Sequence, residues 1–390
     1  LKKTRKKSAG PSSVPCDLVA RAAGDAAFTR NLADWFAREA RDLPWRKTVR
    51  GGRDAWKSLV SEVMLQQTQV SRVLERFGPF MERFPTPLSM VQAGEQAVLA
   101  LWSGMGYYRR ARMLFAAAQQ IVERFGGVVP ADAADLRSLP GIGRYTAGAV
   151  SSIVFGKPEP IVDGNVARVL LRVEGREVSA AEGADWCWER AGQLARAAGD
   201  RVAGFNEGLM ELGAVVCTPR SPRCEACPVT KVCEARRIGK QEEIPAPKKQ
   251  AKRSILRCEV VVVRDPRGLL LVERRAGTGM WAGLWQAPTL ERPHAECGMA
   301  VREILSELGL EGVRITTGSA FAFVHQTTHR EVRFSAIGGA LGAGGAERAL
   351  KVPANHTAVE RRWVRERDLS LLGLSNAQKR ILTREPDLFG

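Results

Sequence analysis

The chain has 390 residues, a hydrophobic share of 45% and a formal net charge of +17. That length favours two domains and the apolar share is ample for packed cores, while the charge points to a polyanionic partner such as nucleic acid. No apolar run is long enough to span a bilayer, and the basic start (Lys2, Lys3, Arg5, Lys6, Lys7) lacks the apolar core of a secretory signal.

Residues 1–24 read as a basic, disordered tail. Phe28 to Ala40 reads as a helix with Phe28, Leu32, Trp35 and Phe36 on one face, broken by Leu43-Pro44-Trp45-Arg46. From Trp56 to Phe77 the apolar residues keep helical spacing. Further helices are expected at about 95–103, 107–125, 132–138, 144–155, 164–173, 184–198 and 204–215, punctuated by Pro and Gly. The half spanning 25–236 is therefore all-α. Residues 237–254 are charged and contain Pro245 and Pro247, the composition of a linker. Residues 255–390 change period. Runs at 258–263 and 269–272 flank the turn Asp265-Pro266-Arg267-Gly268, a helix is expected near 296–309, and strands near 319–325, 331–337 and 360–364, giving an α+β domain.

Eight cysteines are present, and four of them, Cys217, Cys224, Cys227 and Cys233, cluster with six, two and five residues between them. A disulfide framework would be spread more evenly through a shorter chain, so a reducing, cytosolic compartment is expected. Four thiolates suit zinc or a cubane iron–sulfur cluster. One close pair flanked by two singles favours the cluster on spacing, since zinc sites usually show two pairs.

The Gly-rich turn Leu139-Pro140-Gly141-Ile142-Gly143-Arg144-Tyr145 lies between two helical stretches. Such a turn bares backbone N–H groups to one phosphate, and Asp163, shortly after it, could face the sugar that the phosphate carries. Pattern alone favours plainer readings. Asp163 is a helix N-cap, Tyr145 and Tyr107 are packing residues, and Glu62 is a solvated helix glutamate. Gln67 falls within the apolar stripe, where it is either a DNA-facing amide or a satisfied core glutamine.

Taken together, Ser61-Glu62-Val63-Met64-Leu65-Gln66-Gln67-Thr68-Gln69-Val70, the Leu139–Tyr145 turn, Asp163 and the four cysteines resemble the helix-hairpin-helix DNA glycosylases. Within them the likeness is to the adenine DNA glycosylases of the MutY type. The resemblance implies a six-helix barrel with a helical 4Fe–4S domain, one cluster held by Cys217, Cys224, Cys227 and Cys233, and a Nudix-like C-terminal domain. It implies excision of adenine mispaired with 8-oxoguanine or guanine, after the base leaves the stack. Glu62 matches the general acid that protonates the adenine. Asp163 matches the carboxylate that stabilises the oxocarbenium-like sugar, Tyr145 a residue that assists there, and Asn165 one that positions water. Related endonuclease III-type enzymes place at position 145 a lysine that forms a Schiff base, so tyrosine implies a monofunctional enzyme that leaves an abasic site.

By the same resemblance Arg41, Trp45, Arg46, Leu65 and Glu207 line the adenine pocket. Gln67 and Tyr107 wedge into the duplex, and Gly141, Gly143 and Arg144 hold its backbone. Thr328 and His329 stand in for a Ser-His pair that reads the damaged guanine, but Thr327 replaces the family's Phe, which weakens the case for strong lesion discrimination. Arg302 to Gly309 echoes half of a Nudix box. The Gly and Glu expected upstream fall at Pro288 and His294, and Ser306 replaces a core glutamate, so the Mg²⁺ carboxylate set is incomplete and pyrophosphate hydrolysis is not expected. The implied partner is double-stranded DNA, bound by a monomer in the cytoplasm or nucleoid of a bacterium, or the nucleus or mitochondrion of a eukaryote. Two rivals stand beside this: a thymine-mismatch glycosylase on the same scaffold, and a non-catalytic damage-binding protein.

Overall fold

The computed structural model describes residues 16–49, 51–247, 253–293, 298–316, 320–327, 329–342, 344–354 and 356–383. Two compact units share the chain by turns. The first takes Leu1–Leu59, Pro130–Ser138 and Ile142–Lys248; the second takes Val60–Val129, Leu139–Gly141 and Lys249–Gly390. No helix among the described residues is long and apolar enough to cross a membrane.

The first unit is helical. Its first helix, Cys16–Glu39, begins inside the stretch read as tail, because the Ala-rich sequence before Phe28 favours helix despite its polarity. The helices Gly164–Val173, Ala184–Ala198 and Val202–Val215 pack with it around Leu32, Val169, Leu194, Phe205 and Leu209. The close approach of two of these helices depends on Gly213. A Cβ there would stand 2.7 Å from Asn165 Cβ and 3.0 Å from the Asn165 carbonyl oxygen. The first part of the segment read as linker also belongs to this core: Ile244 is buried in it, and the Ala246 N–H donates to Val178 O at 3.1 Å.

The helices Ala133–Arg137 and Arg144–Phe155 flank the Gly-rich turn, as the sequence implied. Gly141 is indispensable there, since it adopts φ 74° and a side chain would strike Met113.

The second unit joins the helices Val70–Arg83, Pro87–Ala93, Glu95–Leu101 and Arg109–Phe125 to a mixed sheet. The apolar run from Trp56 is two helices, not one. Ala55–Leu65 ends and Val70–Arg83 begins after a turn in which Gln67 takes φ 55°. Helical periodicity carries across such a break because the four-residue interruption nearly preserves the phase.

In the sheet, Ser254–Arg264 runs parallel to Arg330–Leu341 and antiparallel to Thr289–Pro293, while Ala358–Val364 pairs antiparallel with Leu270–Arg275. Both faces of the central strand are buried. Leu256, Cys258, Val260 and Val262 pack with the helix Asn376–Thr383, and Val261 and Val263 pack with the helix Val301–Glu307. This is why its sequence reads as an unbroken apolar run. Helix 87–93 and helix 376–383, both unanticipated, are short amphipathic pieces whose burial comes from tertiary packing. The sheet and the helices of this unit are joined by Tyr108 Oη, which donates to Leu374 O at 2.5 Å, and by Trp285 Nε1, which donates to Gln96 Oε1 at 3.2 Å.

Gly213→Ala is expected to destabilise by about 1–3 kcal/mol through overpacking against backbone. Gly192→Ala, whose new methyl would meet only Arg196 Nη1 at 3.5 Å, is expected to gain about 0.4–1 kcal/mol. Thermal melting of the two variants should move in opposite directions.

Candidate active site and iron–sulfur loop

Asp163 caps the helix Gly164–Val173. Its Oδ1 accepts from the Val166 N–H at 2.7 Å and its Oδ2 from Asn165 Nδ2 at 3.1 Å. Burial raises its pKa, against the opposing pull of those hydrogen bonds and of Arg168. The plain N-cap reading is thus correct as structure, and it leaves the carboxylate fixed in place. Asn165 is held in turn, its Oδ1 accepting from Arg168 Nη2 at 2.9 Å. Arg168 also donates to Gly213 O at 2.8 Å and, through Nε, to Cys217 O at 2.8 Å. One turn later Arg172, 2% exposed, donates to Thr218 O at 2.7 Å, Pro219 O at 3.2 Å, Ile244 O at 2.7 Å and Cys217 Sγ at 3.3 Å. Two arginines on one helix therefore tie Asp163 to the cysteine loop. Neither was singled out in the sequence, because arginines in a helix of a basic protein read as solvated.

Tyr145 lies on the helix Arg144–Phe155 and its Oη donates to Met210 Sδ at 2.9 Å. Arg144 lays its guanidinium 4.0 Å over the Trp188 ring, and Gly143 caps the helix with no side-chain bond.

Arg41, Arg46, Arg53, Glu207 and Glu211 form a second charged set in this unit. Glu211, 1% exposed, accepts from Arg41 at 2.6 and 2.9 Å and from Arg46 Nη2 at 2.8 Å. Burial alone would raise its pKa, but the two guanidinium groups outweigh it and hold Glu211 at about 2. Glu207 faces Arg53 at 2.8 Å and Arg46 at 3.3 Å, and here burial wins and the pKa is raised. Trp45 is buried beside them, its carbonyl accepting from Arg53 Nη1 at 3.3 Å. Arg53 and Glu211 were missed. Arg53 sits in a short hairpin strand with no periodicity, and Glu211 had only its place four residues after Glu207 to mark it.

In the second unit, Glu62 is half-buried in the last turns of Ala55–Leu65, with Leu65 half-buried at its end. Gln67 is exposed, not within an apolar stripe, because the helix has already ended. Tyr107 is 44% exposed and, like Gln67, takes a left-handed backbone, φ 49°. A cavity of about 970 Å³ is lined by Tyr107, Arg112, Arg253, Trp281, His325 and His329, among others. His329 is exposed, while Thr328 lies outside the described residues.

Residues 60–183 match the HhH-GPD superfamily of base excision DNA repair proteins, residues 217–233 the iron-sulfur binding domain of endonuclease III, and residues 259–384 the NUDIX domain. The adenine DNA glycosylase of Rattus norvegicus is 34% identical over 94% of this chain and 79% of its own length. The chain belongs to the adenine DNA glycosylase family. The Homo sapiens member is 45% identical over 56% of this chain, which spans 41% of that longer protein. A solved thermostable thymine-DNA glycosylase is similar over 56% of this chain and 99% of its own, with 28% identity and a TM-score of 0.50.

The cysteines of this glycosylase suit the iron–sulfur cluster that its 217–233 segment carries as a family feature. Cys217, Cys227 and Cys233 pack against the same core, and burial pushes the Cys227 thiol up to about 12, with Cys217, Cys233 and Cys224 each adding to it. Among the described residues no three His, Cys, Asp or Glu side chains converge on a single point. A cubane does not require that, because each iron takes its own thiolate. Arg172 at Cys217 Sγ supplies the hydrogen bond and positive charge that an anionic cluster favours.

Glu211→Gln should lower the melting temperature at pH 7, a loss of about 3 kcal/mol for a broken buried pair. A carboxylate with a depressed pKa stabilises above its unfolded value and loses that contribution as pH falls through its folded value. The gap between variant and wild type should therefore hold down to about pH 4.5 and close toward pH 2, the folded value of Glu211.

Proposed function

We propose that this DNA N-glycosylase of base excision repair removes adenine paired with 8-oxoguanine or guanine, working as a monomer with one 4Fe–4S cluster held by Cys217, Cys224, Cys227 and Cys233. The observation that carries the reading is Asp163, a carboxylate fixed by Val166 and Asn165 whose charge is disfavoured by burial. Such a group gains most when a positive charge develops beside it, so its electrostatic benefit falls on the transition state more than on the ground state.

In the proposed mechanism the adenine is flipped out of the stack. Glu62, in its acid form, delivers a proton to N7, and the C–N bond electrons pass to the neutral leaving base. The sugar becomes oxocarbenium-like, and Asp163 stabilises it directly or through a transient adduct. Water then adds to C1′, displacing the Asp163 carboxylate where an adduct has formed, and gives its proton to the Glu62 carboxylate, leaving an abasic site and restoring the acid. Asn165 and Arg168 keep the Asp163 carboxylate aimed. Tyr145 assists at this centre and, having no amine, cannot form a Schiff base, so strand cleavage is not part of the reaction. Arg41, Trp45, Arg46, Leu65 and Glu207 are assigned to adenine. Glu207, whose raised pKa makes a protonated carboxyl accessible, can exchange hydrogen bonds with the base edge. Gln67, Tyr107, the turn residues Gly141, Gly143 and Arg144, Thr328 and His329 are assigned to the duplex and the opposite base. The cluster, when bound, acts structurally by tying the cysteine loop to the helix that Asp163 caps.

A second reading, thymine excision from T:G pairs, is supported by the similarity to the solved thymine-DNA glycosylase. The NUDIX match at 259–384 and the 94% span shared with the rat adenine glycosylase favour adenine.

Single-turnover release from A:8-oxoguanine, A:G, A:T and T:G duplexes separates these readings. Fast release from the first, slower from the second and none from the last two is expected. Glu62→Gln should slow adenine release by about 10²–10⁴-fold, the usual worth of a general acid, while duplex affinity holds. Full activity in that variant removes Glu62 from the mechanism, and strand breaks made by the wild type without added base contradict the monofunctional assignment.

A further inference from the structure

Four non-glycine residues among those described take a left-handed backbone, and two of them, Gln67 and Tyr107, are exposed in turns of the same unit. One guanidinium touches both turns. Arg110 Nη1 donates to Val63 O and Met64 O, each at 2.9 Å, and Nη2 donates to Thr68 Oγ1 at 2.9 Å and to Gly106 O at 3.3 Å. It also lies over the rings of Trp102 and Tyr107, its guanidinium carbon 5.3 Å from each centroid. The Val63 and Met64 carbonyls end the helix that carries Glu62, where helix carbonyls lack intrahelical partners and a cation is favoured. Thr68 follows Gln67 directly, and Gly106 precedes Tyr107.

We infer that Arg110 is the positioning residue that sets Gln67, Tyr107 and the end of the Glu62 helix in one fixed relation, so that duplex opening and proton delivery are coupled. The inference rests on the functional reading above. A planar fork with several donors can serve four acceptors and stack on two rings at once, whereas an ammonium of the same charge cannot. A left-handed backbone at a non-glycine residue costs free energy and persists only where its surroundings impose it. Arg110 is the shared restraint on both such positions.

The test uses the full-length, cluster-loaded enzyme and a duplex with 2-aminopurine in place of the target adenine, whose fluorescence reports unstacking. Arg110→Lys is expected to lose the fluorescence rise and to slow single-turnover adenine release from A:8-oxoguanine by about 100-fold, the scale of an ångström-sized misplacement. Melting temperature should fall by a few degrees for the lost hydrogen bonds, while affinity for fully paired DNA should stay at the wild-type value. Added to Arg110→Lys, Tyr107→Ala should cost less than it does alone, because both changes act on one element. Wild-type fluorescence and release rate in Arg110→Lys overturn the inference. So does a loss of release matched by equal losses in melting temperature and paired-duplex affinity, which marks a purely structural role. If Arg110→Lys does not fold, Thr68→Val decides. It removes one acceptor and keeps the guanidinium, and a partial loss of the fluorescence rise is expected, with no change overturning the inference. A wild type that releases no adenine overturns the functional reading instead.

Discussion

The buried arginines of the helix Gly164–Val173 hold the rest of the candidate chemistry in place. Arg168 and Arg172 are four residues apart and so share one helix face. Both turn inward onto carbonyls of the cysteine loop, and Arg168 reaches back to Asn165 and through it to Asp163. Burying two like charges on one face is costly unless every donor finds an acceptor. Here the acceptors are mostly main-chain carbonyls, which keep their positions only while the loop keeps its path. An anionic cluster at Cys217 would offset the same charges. Loop path, arginine burial and the aim of Asp163 therefore stand or fall together.

Three acidic groups in the same unit show how differently burial can be resolved. Glu211 has two arginines and stays ionised far below neutral pH, so it serves as a permanent anchor for Arg41 and Arg46. Glu207 shares Arg46 and has Arg53, yet burial still raises its pKa. Asp163 has only backbone, an amide and a more distant Arg168, and it too is raised. The first is satisfied before any ligand arrives. The other two are left with unspent electrostatic capacity, which suits groups that meet a base edge and a transient cation.

Most of the helices were legible in the sequence because they are long and amphipathic, and the hairpin was legible because Gly141 is required by its φ and by Met113. Glu62, Asp163, Tyr145 and the cysteines carried a family resemblance, but their pattern alone described a solvated glutamate, a cap, a packing residue and an ambiguous metal set. What the sequence hid is what depends on folded partners. The break at Gln67 keeps helical phase, Arg53 and Glu211 acquire meaning only as an ion-pair set, and Arg110 reads as surface charge until Val63, Thr68 and Gly106 converge on it.

The Nudix-like sheet shows how a fold can keep its frame while its acidic residues take other work. Glu273 is fully buried and accepts from His356, Arg361, Gln286 and the Thr289 N–H, all between 2.9 and 3.1 Å. Burial opposes its charge, but these partners prevail and hold its pKa down. A carboxylate so enclosed is a core fastener, out of reach of a hydrated Mg²⁺, which keeps several waters in its shell. Ser306, which the resemblance reads as replacing a box glutamate, lies in the helix Val301–Glu307. The domain's sheet is tied through Tyr108 and Gln96 to the helices Glu95–Leu101 and Arg109–Phe125, on either side of the turn that carries Tyr107. Those hydrogen bonds brace the turn that carries Tyr107, whose left-handed backbone persists only where its surroundings hold it.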